Sequence, residues 1–215
     1  MPTSNERVRV VIADDHPFFR DGVRRGLSDD GRIDVVAEAA DGREAIEVIR
    51  RERPDVALVD YQMPDVDGAA VVRAIVREEL PTRVLLLSAH TDSAIVFDAL
   101  QEGAAGYLSK EARRSEIVEA VLKAARGETV VPADVASGLV GEIRMRAQPG
   151  APALSARELQ VLQAFARGES IPQVAAALTI GVSTVKTHTQ RLYEKLGVSD
   201  RAAAVAEAMR RGLLE

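Results

Sequence analysis

The fold is decided by the stretch VRVVIADD at residues 8–15, which contains the first apolar run of the chain, residues 8–13. This run is short and rich in β-branched residues, as a buried strand is, and two carboxylates follow it directly. Comparable runs occupy residues 35–39, 56–60, 83–88 and 106–108. Amphipathic segments alternate with them at residues 16–28, 43–51, 69–79, 93–101 and 115–126. Five β–α units in succession predict an α/β fold, a doubly wound five-stranded parallel sheet with right-handed crossovers.

Polar side chains stand where these runs end: Asp14, Asp15, Asp60, Ser88 and Lys110. Parallel strands end at one edge of a sheet, and open α/β sheets bind their ligands there, so we expect the five side chains to converge. Carboxylates suit a divalent cation such as Mg²⁺, and a lysine can neutralise phosphate oxygens. The set therefore predicts a site for Mg²⁺ and a phosphoryl group.

Asp60 is the predicted phosphoryl acceptor, because a carboxylate at a strand end before an irregular loop can be an exposed nucleophile. Asp14 and Asp15 are expected to hold the cation, together with Asp60 and the backbone carbonyl near Gln62. Lys110 is expected to pair with the phosphate or with Asp60 itself.

Each of these residues also has an ordinary structural explanation. Asp15 could cap a helix that begins at His16-Pro17, Ser88 could bond nearby backbone, and Lys110 could be a surface lysine. Their shared position at strand ends of one pattern favours the site. Within it, the Ser88 hydroxyl is expected to donate to a phosphoryl oxygen after transfer.

Four motifs resemble the response-regulator receiver domain: IADDHP at 12–17, DYQMPDVDG at 60–68, LSA at 87–89 and GYLSK at 106–110. The resemblance spans about residues 7–126. It implies that a histidine kinase or a small phosphodonor phosphorylates Asp60, with Mg²⁺ bound by Asp14 and Asp15.

The resemblance also assigns a role to Tyr107. This residue matches the switch aromatic of the family, which turns inward when the hydroxyl at Ser88 engages the phosphoryl group. A tyrosine packed at an edge strand is the alternative. The sequence departs from many receivers at Glu111, which follows Lys110 where they have proline.

Composition excludes several classes of protein. The 215 residues include no cysteine, which excludes disulfide frameworks, thiolate nucleophiles and cysteine-ligated metals. The N-terminus lacks the features of a secretion signal and no apolar stretch is long enough to cross a bilayer, so a cytoplasmic protein without membrane association is expected. Net charge is −5, but residues 1–126 have 18 Lys and Arg against 24 Asp and Glu, whereas residues 154–215 have 8 against 6. The second part is the one that tolerates a polyanion.

A linker is predicted at residues 127–153, where small residues, Pro and Gly increase. Its middle, residues 134–146, is expected to be helical. The domains are thus predicted at residues 7–126 and 154–215.

The second domain has no strand signal and four helix signals, at residues 155–167, 171–178, 183–196 and 200–211. Ser155 and Glu158 form a capping box at the first of these. A helix, a short turn and a second helix form a DNA-reading unit whose second helix enters the major groove. One face of that helix is expected to be buried: Val185, Thr189, Leu192 and Leu196. The other face is polar: Ser183, Lys186, Thr187, Gln190 and Glu194.

Lys186 can reach guanine or phosphate, Gln190 can form a bidentate contact with adenine through its amide oxygen and nitrogen, and Thr187 offers a hydroxyl or a methyl contact. A solvated helix face is the alternative, and Glu194 favours it because a carboxylate deep in the groove would repel phosphate.

Further motifs resemble the LuxR-type helix-turn-helix: LSARE at 154–158, VAAAL at 174–178, TVKTH at 184–188 and KLGV at 195–198. This resemblance covers about residues 150–215, so the whole chain resembles a NarL/FixJ-type response regulator. It implies that Lys186, Thr187 and Gln190 face the major groove and that Thr184 and His188 lie near phosphates.

In that family the last helix pairs two subunits, which suggests contacts by Val205 and Ala208. Two departures concern DNA affinity: Gly181 replaces a common turn serine, and residues 171–173 replace a triplet with a basic residue. Affinity weaker than is usual in the family is therefore expected.

The predicted function is a two-component transcriptional regulator, phosphorylated on Asp60, that dimerises and binds promoter DNA. One alternative is an aspartyl-phosphate phosphatase, which normally has an acid–base aspartate two residues after the nucleophile, where this chain has Gln62. The other is a binding module independent of phosphorylation, against which the intact pocket residues argue.

Overall fold

The structure is a computed structural model that describes residues 7–89, 93–132, 135–136, 138–139, 154–178 and 180–214. It divides the chain into two compact units, residues 1–136 and 137–215. Most of the helix predicted at 134–146 lies outside the described residues.

The first unit is built on a five-stranded parallel sheet with the order β2-β1-β3-β4-β5. The strands are β1 (Val8–Ala13), β2 (Ile33–Ala39), β3 (Val56–Asp60), β4 (Arg83–Ser88) and β5 (Gly106–Ser109). The predicted fold class is confirmed. Strand β2 begins two residues earlier than predicted, because Ile33 is buried and pairs with Val8.

Five helices connect and follow the strands: α1 (Pro17–Ser28), α2 (Gly42–Glu52), α3 (Gly68–Arg77), α4 (Ser93–Gln101) and α5 (Arg114–Ala125). Helices α1 and α5 pack on one face of the sheet, where Leu27 and Val121 share a core with Ile12, Leu58 and Leu87. The alternate strand residues are buried too, so both faces of the sheet are covered. This burial fixes the strands and hence the positions of their carboxyl ends.

The chain remains attached to the sheet after α5 ends. Val130 forms a parallel bridge with Gly106 of β5: its N–H donates to the Ala105 carbonyl at 3.0 Å, and its carbonyl accepts the Tyr107 N–H at 2.9 Å. A Cβ at Gly106 would lie 2.4 Å from the Val130 oxygen, so this close approach requires glycine. The boundary at residue 126 stays a prediction, and the structure adds Val130 to the edge of the sheet.

The second unit contains the helices α6 (Ala156–Ala166), α7 (Ile171–Leu178), α8 (Val182–Leu196) and α9 (Arg201–Arg210). Their core includes Leu162, Val174, Val185, Leu192 and Ala204. The predicted capping box is present at α6, where Ser155 and Glu158 bond each other's main chain.

Within the described part of the chain, no helix is long and apolar enough to cross a membrane.

Candidate functional site

The carboxyl ends of β1 and β3 bring two buried carboxylates together. Asp14 follows β1 and is 0% exposed, and Asp60 ends β3 and is 2% exposed. Lys110, just after β5, lies between them, with its Nζ 2.7 Å from Oδ2 of Asp14 and 2.7 Å from Oδ2 of Asp60. Three residues far apart in sequence thus form one compact ionic cluster.

Lys110 is held on two sides. Its main-chain N–H donates to the Ser88 carbonyl at 2.8 Å, which continues the pairing of β4 with β5. Its Nζ also lies 4.8 Å from the centre of the Phe19 ring. Burial lowers the pKa of Lys110, but the hydrogen bonds and charges of Asp14 and Asp60 outweigh burial and raise this pKa overall. The lysine is therefore a fixed positive charge.

Asp60 is set by the loop that follows it. The Gln62 N–H donates to Asp60 Oδ1 at 3.1 Å, and the Gly68 N–H donates to the Tyr61 carbonyl at 3.1 Å. A Cβ at Gly68 would lie 2.5 Å from the Asp60 carbonyl oxygen, so glycine lets α3 begin directly against the site. Burial raises the pKa of Asp60, with a further rise from the charge of Asp14, and the hydrogen bond from Lys110 only partly offsets this.

The second acid of the pair, Asp15, is half-buried and contacts a residue that was not among the predicted ones. His16 Nδ1 lies 2.7 Å from Asp15 Oδ1 and 3.5 Å from Asp14 Oδ1. Ligand atoms of Asp14, Asp15, His16 and Asp60 all lie within 4.8 Å of one another. Three carboxylates at this spacing fit Mg²⁺, which prefers oxygen ligands.

Ser88 and Tyr107 come to the same end of the sheet. Ser88 ends β4 and is 2% exposed, and its neighbour Leu87 accepts the Tyr61 N–H at 2.7 Å. Tyr107 on β5 is fully buried, and its ring centre lies 5.9 Å from that of Tyr61. The ring is therefore packed inside the domain beside Tyr61, and its role as the switch aromatic stays a prediction.

Arg20 is a further residue that sequence reasoning missed. Its guanidinium donates to the Asp14 carbonyl at 2.5 Å and to Glu38 Oε2 at 3.1 Å. It thereby ties the acidic turn after β1 to strand β2. The one available signal was its position four residues, or about one helical turn, after His16, which places the two residues on the same side of the helix start.

A cavity of about 520 Å³ opens onto this cluster. Its lining includes His16, Phe18, Asp60, Gln62 and Lys110. Phe18 is 96% exposed at its edge. Asp60 is thus buried but faces a space large enough for a small phosphorylated group.

In the second unit, α8 has the two faces that the sequence predicts. Val185, Thr189, Leu192 and Leu196 are buried, and Thr189 Oγ1 donates to the Val185 carbonyl at 2.8 Å. Lys186 and Gln190 are exposed and Thr187 is partly exposed. Gln190 Nε2 donates to Glu194 Oε1 at 3.1 Å, a bond that Gln190 must exchange to reach a base.

The predicted position of Thr184 and His188 near DNA phosphates stays a prediction. Thr184 is 4% exposed and His188 is 0% exposed, because both lie on the side of α8 that faces the core. A side-chain contact with a phosphate would therefore require either residue to turn outward. The motif alone suggested that these residues lie near DNA, whereas the structure places them on the same buried side of α8 as Val185.

A buried ion pair connects α6 with the end of α8. Glu158 is 0% exposed, and its Oε2 lies 2.8 Å from Lys195 Nζ. The same oxygen accepts the Ser155 N–H at 2.7 Å, so one carboxylate caps α6 and holds α8. This contact joins the start of α6 to the end of α8.

Two family models match the chain. One is described as the response regulator receiver domain and matches residues 10–122. The other is described as bacterial regulatory proteins, luxR family, and matches residues 152–208. The chain belongs to the two-component response regulators that carry a LuxR-type DNA-binding domain. Transcription regulation through DNA binding follows from this membership, and the resemblance read from the motifs is confirmed.

Individual relatives agree with this assignment. The regulator is 61% identical over 210 residues to the probable transcriptional regulatory protein NarL of Mycobacterium tuberculosis strain H37Rv, covering 98% of this chain and 97% of that protein. The solved receiver domain of the putative response regulator NarL from M. tuberculosis is 58% identical with a TM-score of 0.57, covering 58% of this chain and 100% of that one.

A full-length solved relative includes DNA. RcsB from Salmonella enterica serovar Typhimurium, bound to promoter rprA in the presence of the phosphomimetic BeF3−, is 26% identical with a TM-score of 0.57. The match covers 94% of this chain and 98% of that one.

The last helix of this regulator, α9, exposes a different set of residues from the one expected. Ala208 is fully buried in the domain core, so it is not available for a subunit contact, and Val205 is only partly exposed. The exposed apolar residues of α9 are Ala202, Ala206 and Met209, the last 56% exposed. They recur at helical spacing and form one stripe.

Proposed function

We propose that a partner histidine kinase phosphorylates this response regulator on Asp60 and that the modification promotes dimerisation and promoter binding. The Asp60 carboxylate carries the proposal, because it ends β3 beside Lys110 Nζ at 2.7 Å and faces an open cavity. The regulator is then a phosphate acceptor whose only enzymatic activity is the loss of its own phosphoryl group.

The transfer balances without an added acid or base. One Asp60 oxygen forms a bond to phosphorus while the bond from phosphorus to the donor nitrogen of a phosphohistidine breaks; that nitrogen keeps the electron pair, and a proton on the other ring nitrogen of the donor makes the leaving group a neutral imidazole. Lys110 is already hydrogen-bonded to Asp60 and can follow the charge onto a phosphoryl oxygen. Positioning and charge neutralisation, rather than proton transfer, are the tasks of the site.

Mg²⁺ is the proposed cofactor, and the residues that would hold it are Asp14, Asp15, Asp60 and the Gln62 carbonyl. When bound, Mg²⁺ neutralises charge on the phosphoryl oxygens during transfer. The chain's own contribution is rigidity, since the Gln62 N–H holds Asp60 and Arg20 holds the turn that carries Asp14.

The proposed output combines the receiver with the DNA-binding domain. Ser88 would bond a phosphoryl oxygen and so stabilise the inward position of Tyr107. On DNA, the exposed face of α8, with Lys186, Thr187 and Gln190, would read the major groove. A dimer would place two such helices about 34 Å apart, one turn of DNA. The relative RcsB, solved on a promoter with a phosphomimetic, supports this order of events.

The experiment is phosphorylation of the full chain by acetyl phosphate with Mg²⁺, followed by intact mass measurement. We expect one added phosphoryl group in the wild type and none in Asp60→Asn. Asp65→Asn is the matched control, since it changes an exposed acid of the same loop and should leave labelling intact. Labelling that persists in Asp60→Asn would identify another acceptor, and continued turnover of phosphomonoesters would favour the phosphatase alternative.

A further inference from the structure

His16 has a fixed main chain beside the acidic pair. Its N–H donates to Asp14 Oδ1 at 2.8 Å, and its carbonyl accepts the Arg20 N–H at 3.0 Å in the first turn of α1. Pro17 follows at the first helical position, which restricts the backbone further. Only the two side-chain torsions of His16 therefore decide where its imidazole lies.

The imidazole lies over the carboxylates although His16 has room to turn away. The side chain is 71% exposed, and it makes no capping hydrogen bond to α1. Its Nδ1 nevertheless lies 2.7 Å from Asp15 Oδ1 and 3.5 Å from Asp14 Oδ1. Lys110 occupies the opposite oxygen of Asp14, Oδ2, so Asp14 Oδ1 faces the His16 side of the pocket.

These spacings match the shell of a single transition-metal ion. With bonds of about 2.1 Å to nitrogen and oxygen, neighbouring ligand atoms lie about 3.0 Å apart in an octahedral shell and about 3.4 Å apart in a tetrahedral one. The observed 2.7 Å and 3.5 Å bracket these values. One ion could bind both carboxylates and the imidazole after movements of a few tenths of an ångström, taking the place of the proton between Nδ1 and Asp15 Oδ1, which is released to solvent.

We propose that His16 is a nitrogen ligand that makes this pocket a site for late first-row divalent cations, namely Co²⁺, Ni²⁺ and Zn²⁺. Mg²⁺ gains little from an imidazole, whereas these ions bind imidazole well and bind mixed nitrogen and oxygen sites more tightly in general. The inference rests on the proposed function in one respect, that Asp14 and Asp15 bind a divalent cation.

The consequence is competition at one site. Since a late metal would use the oxygens of Asp14 and Asp15 that Mg²⁺ needs, the two ions exclude each other. His16 then sets the selectivity of the pocket between a hard ion that supports phosphoryl transfer and a softer ion that displaces it. The exposure of the imidazole gives the incoming ion a path from solvent.

The test is calorimetric titration of the untagged full chain with Co²⁺ and, separately, with Mg²⁺. His16→Phe keeps a ring of similar size without a nitrogen ligand, and Asp15→Asn removes a ligand expected to serve both ions. We expect His16→Phe to weaken Co²⁺ binding about tenfold or more and to change Mg²⁺ binding less than about twofold. Asp15→Asn should weaken both. The chain has three histidines, so His90→Asn is included as a control.

Each outcome has one reading. Unchanged Co²⁺ affinity in His16→Phe, with both ions weakened in Asp15→Asn, overturns the role of His16 and leaves the proposed Mg²⁺ site intact. Affinities that Asp15→Asn leaves unchanged overturn the cation site itself. A loss of Co²⁺ binding in His90→Asn but not in His16→Phe would show that His90, and not His16, supplies the nitrogen ligand. Pulsed electron paramagnetic resonance with Cu²⁺ should show imidazole modulation in the wild type and none from this pocket in His16→Phe.

Discussion

At the scale of the residue, Lys110 has a larger task than pairing with a phosphate. It is hydrogen-bonded to two buried carboxylates at once, on Asp14 and Asp60. Without it, two negative charges would share a space with little solvent, which is costly unless one of them takes up a proton. Even with it, the pKa of Asp60 is raised by burial. The Asp60 carboxylate is therefore kept in place at some cost to stability.

The raised pKa of Asp60 predicts a pH-dependent stability. The folded state holds this proton more tightly than the unfolded state, whose pKa is near 3.8, so the group's contribution to the free energy of unfolding falls as pH rises through the raised pKa. Asp60→Asn cannot ionise and escapes this fall. Urea unfolding in EDTA should show that the free energy of unfolding of the variant increases relative to that of the wild type from about pH 4 to about pH 7. A constant difference across that range would contradict the raised pKa, and Asp65→Asn is the control.

The residues of α8 give a second prediction, for DNA. Lys186→Ala and Gln190→Ala should each weaken promoter binding by about 1–3 kcal/mol, because each removes a contact to a base or phosphate, and neither should prevent phosphorylation. Footprinting on genomic fragments selected by the wild type measures the change. Gln163→Ala, an exposed glutamine of α6, should bind normally. Unaltered footprints for both α8 variants would contradict the prediction that this helix binds in the major groove.

The sequence predicted those site residues whose position follows from the direction of the parallel strands alone. Asp14, Asp60 and Ser88 converge because each ends or follows a parallel strand. His16 and Arg20 escaped prediction, because their contacts depend on side-chain torsions and on the distant Glu38 of β2. Neither distance could be obtained from motif spacing.

At the scale of the element, helix placement depends on a few buried contacts that periodicity does not reveal. The boundaries of β1, β3 and β4 agree with the prediction to the residue, since apolar runs of fixed length define buried strands. The faces of α8 also follow from its pattern. The pairing of Glu158 with Lys195 does not, because two residues of opposite charge far apart in sequence carry no mutual signal.

That pair predicts a stability effect. Lys195→Met should lower the free energy of unfolding of the DNA-binding domain by about 2 kcal/mol, since it leaves the buried Glu158 carboxylate without its ion-pair partner. The loss is smaller than for a fully buried pair because the Lys195 side chain is 33% exposed. Urea unfolding of the full chain measures it. Lys186→Met, on the exposed face of the same helix, should change stability by less than about 0.5 kcal/mol. Equal values for the two variants would show that Glu158 is compensated by other groups.

At the scale of the whole molecule, two units with separate cores divide the work. The receiver buries its reactive carboxylate, and the DNA-binding domain presents a polar helix face on one side and the α9 stripe on another. In an isologous pair the same surface patch of each subunit faces its copy, so the stripe of Ala202, Ala206 and Met209 suits a contact between two subunits.

Met209→Glu should disrupt that contact. Each subunit would place a carboxylate in an apolar interface, and binding to a duplex with two half-sites should weaken about tenfold or more. Binding to a single half-site and labelling of Asp60 should not change. Fluorescence anisotropy on the two duplexes separates these effects. The control Gln163→Glu adds the same charge on α6, and a loss there as large as in Met209→Glu would point to general repulsion from DNA instead.

The bridge between Val130 and β5 bears on the making of hybrid regulators. The segment that leaves the receiver is hydrogen-bonded to Tyr107, the residue of the proposed switch, so the chain leaves the receiver from a position beside strand β5. A hybrid cut at the end of α5 would discard Val130 and, with it, the hydrogen bonds that join the departing segment to β5. Foreign DNA-binding domains should therefore be joined after Val130, where the receiver keeps its own exit strand.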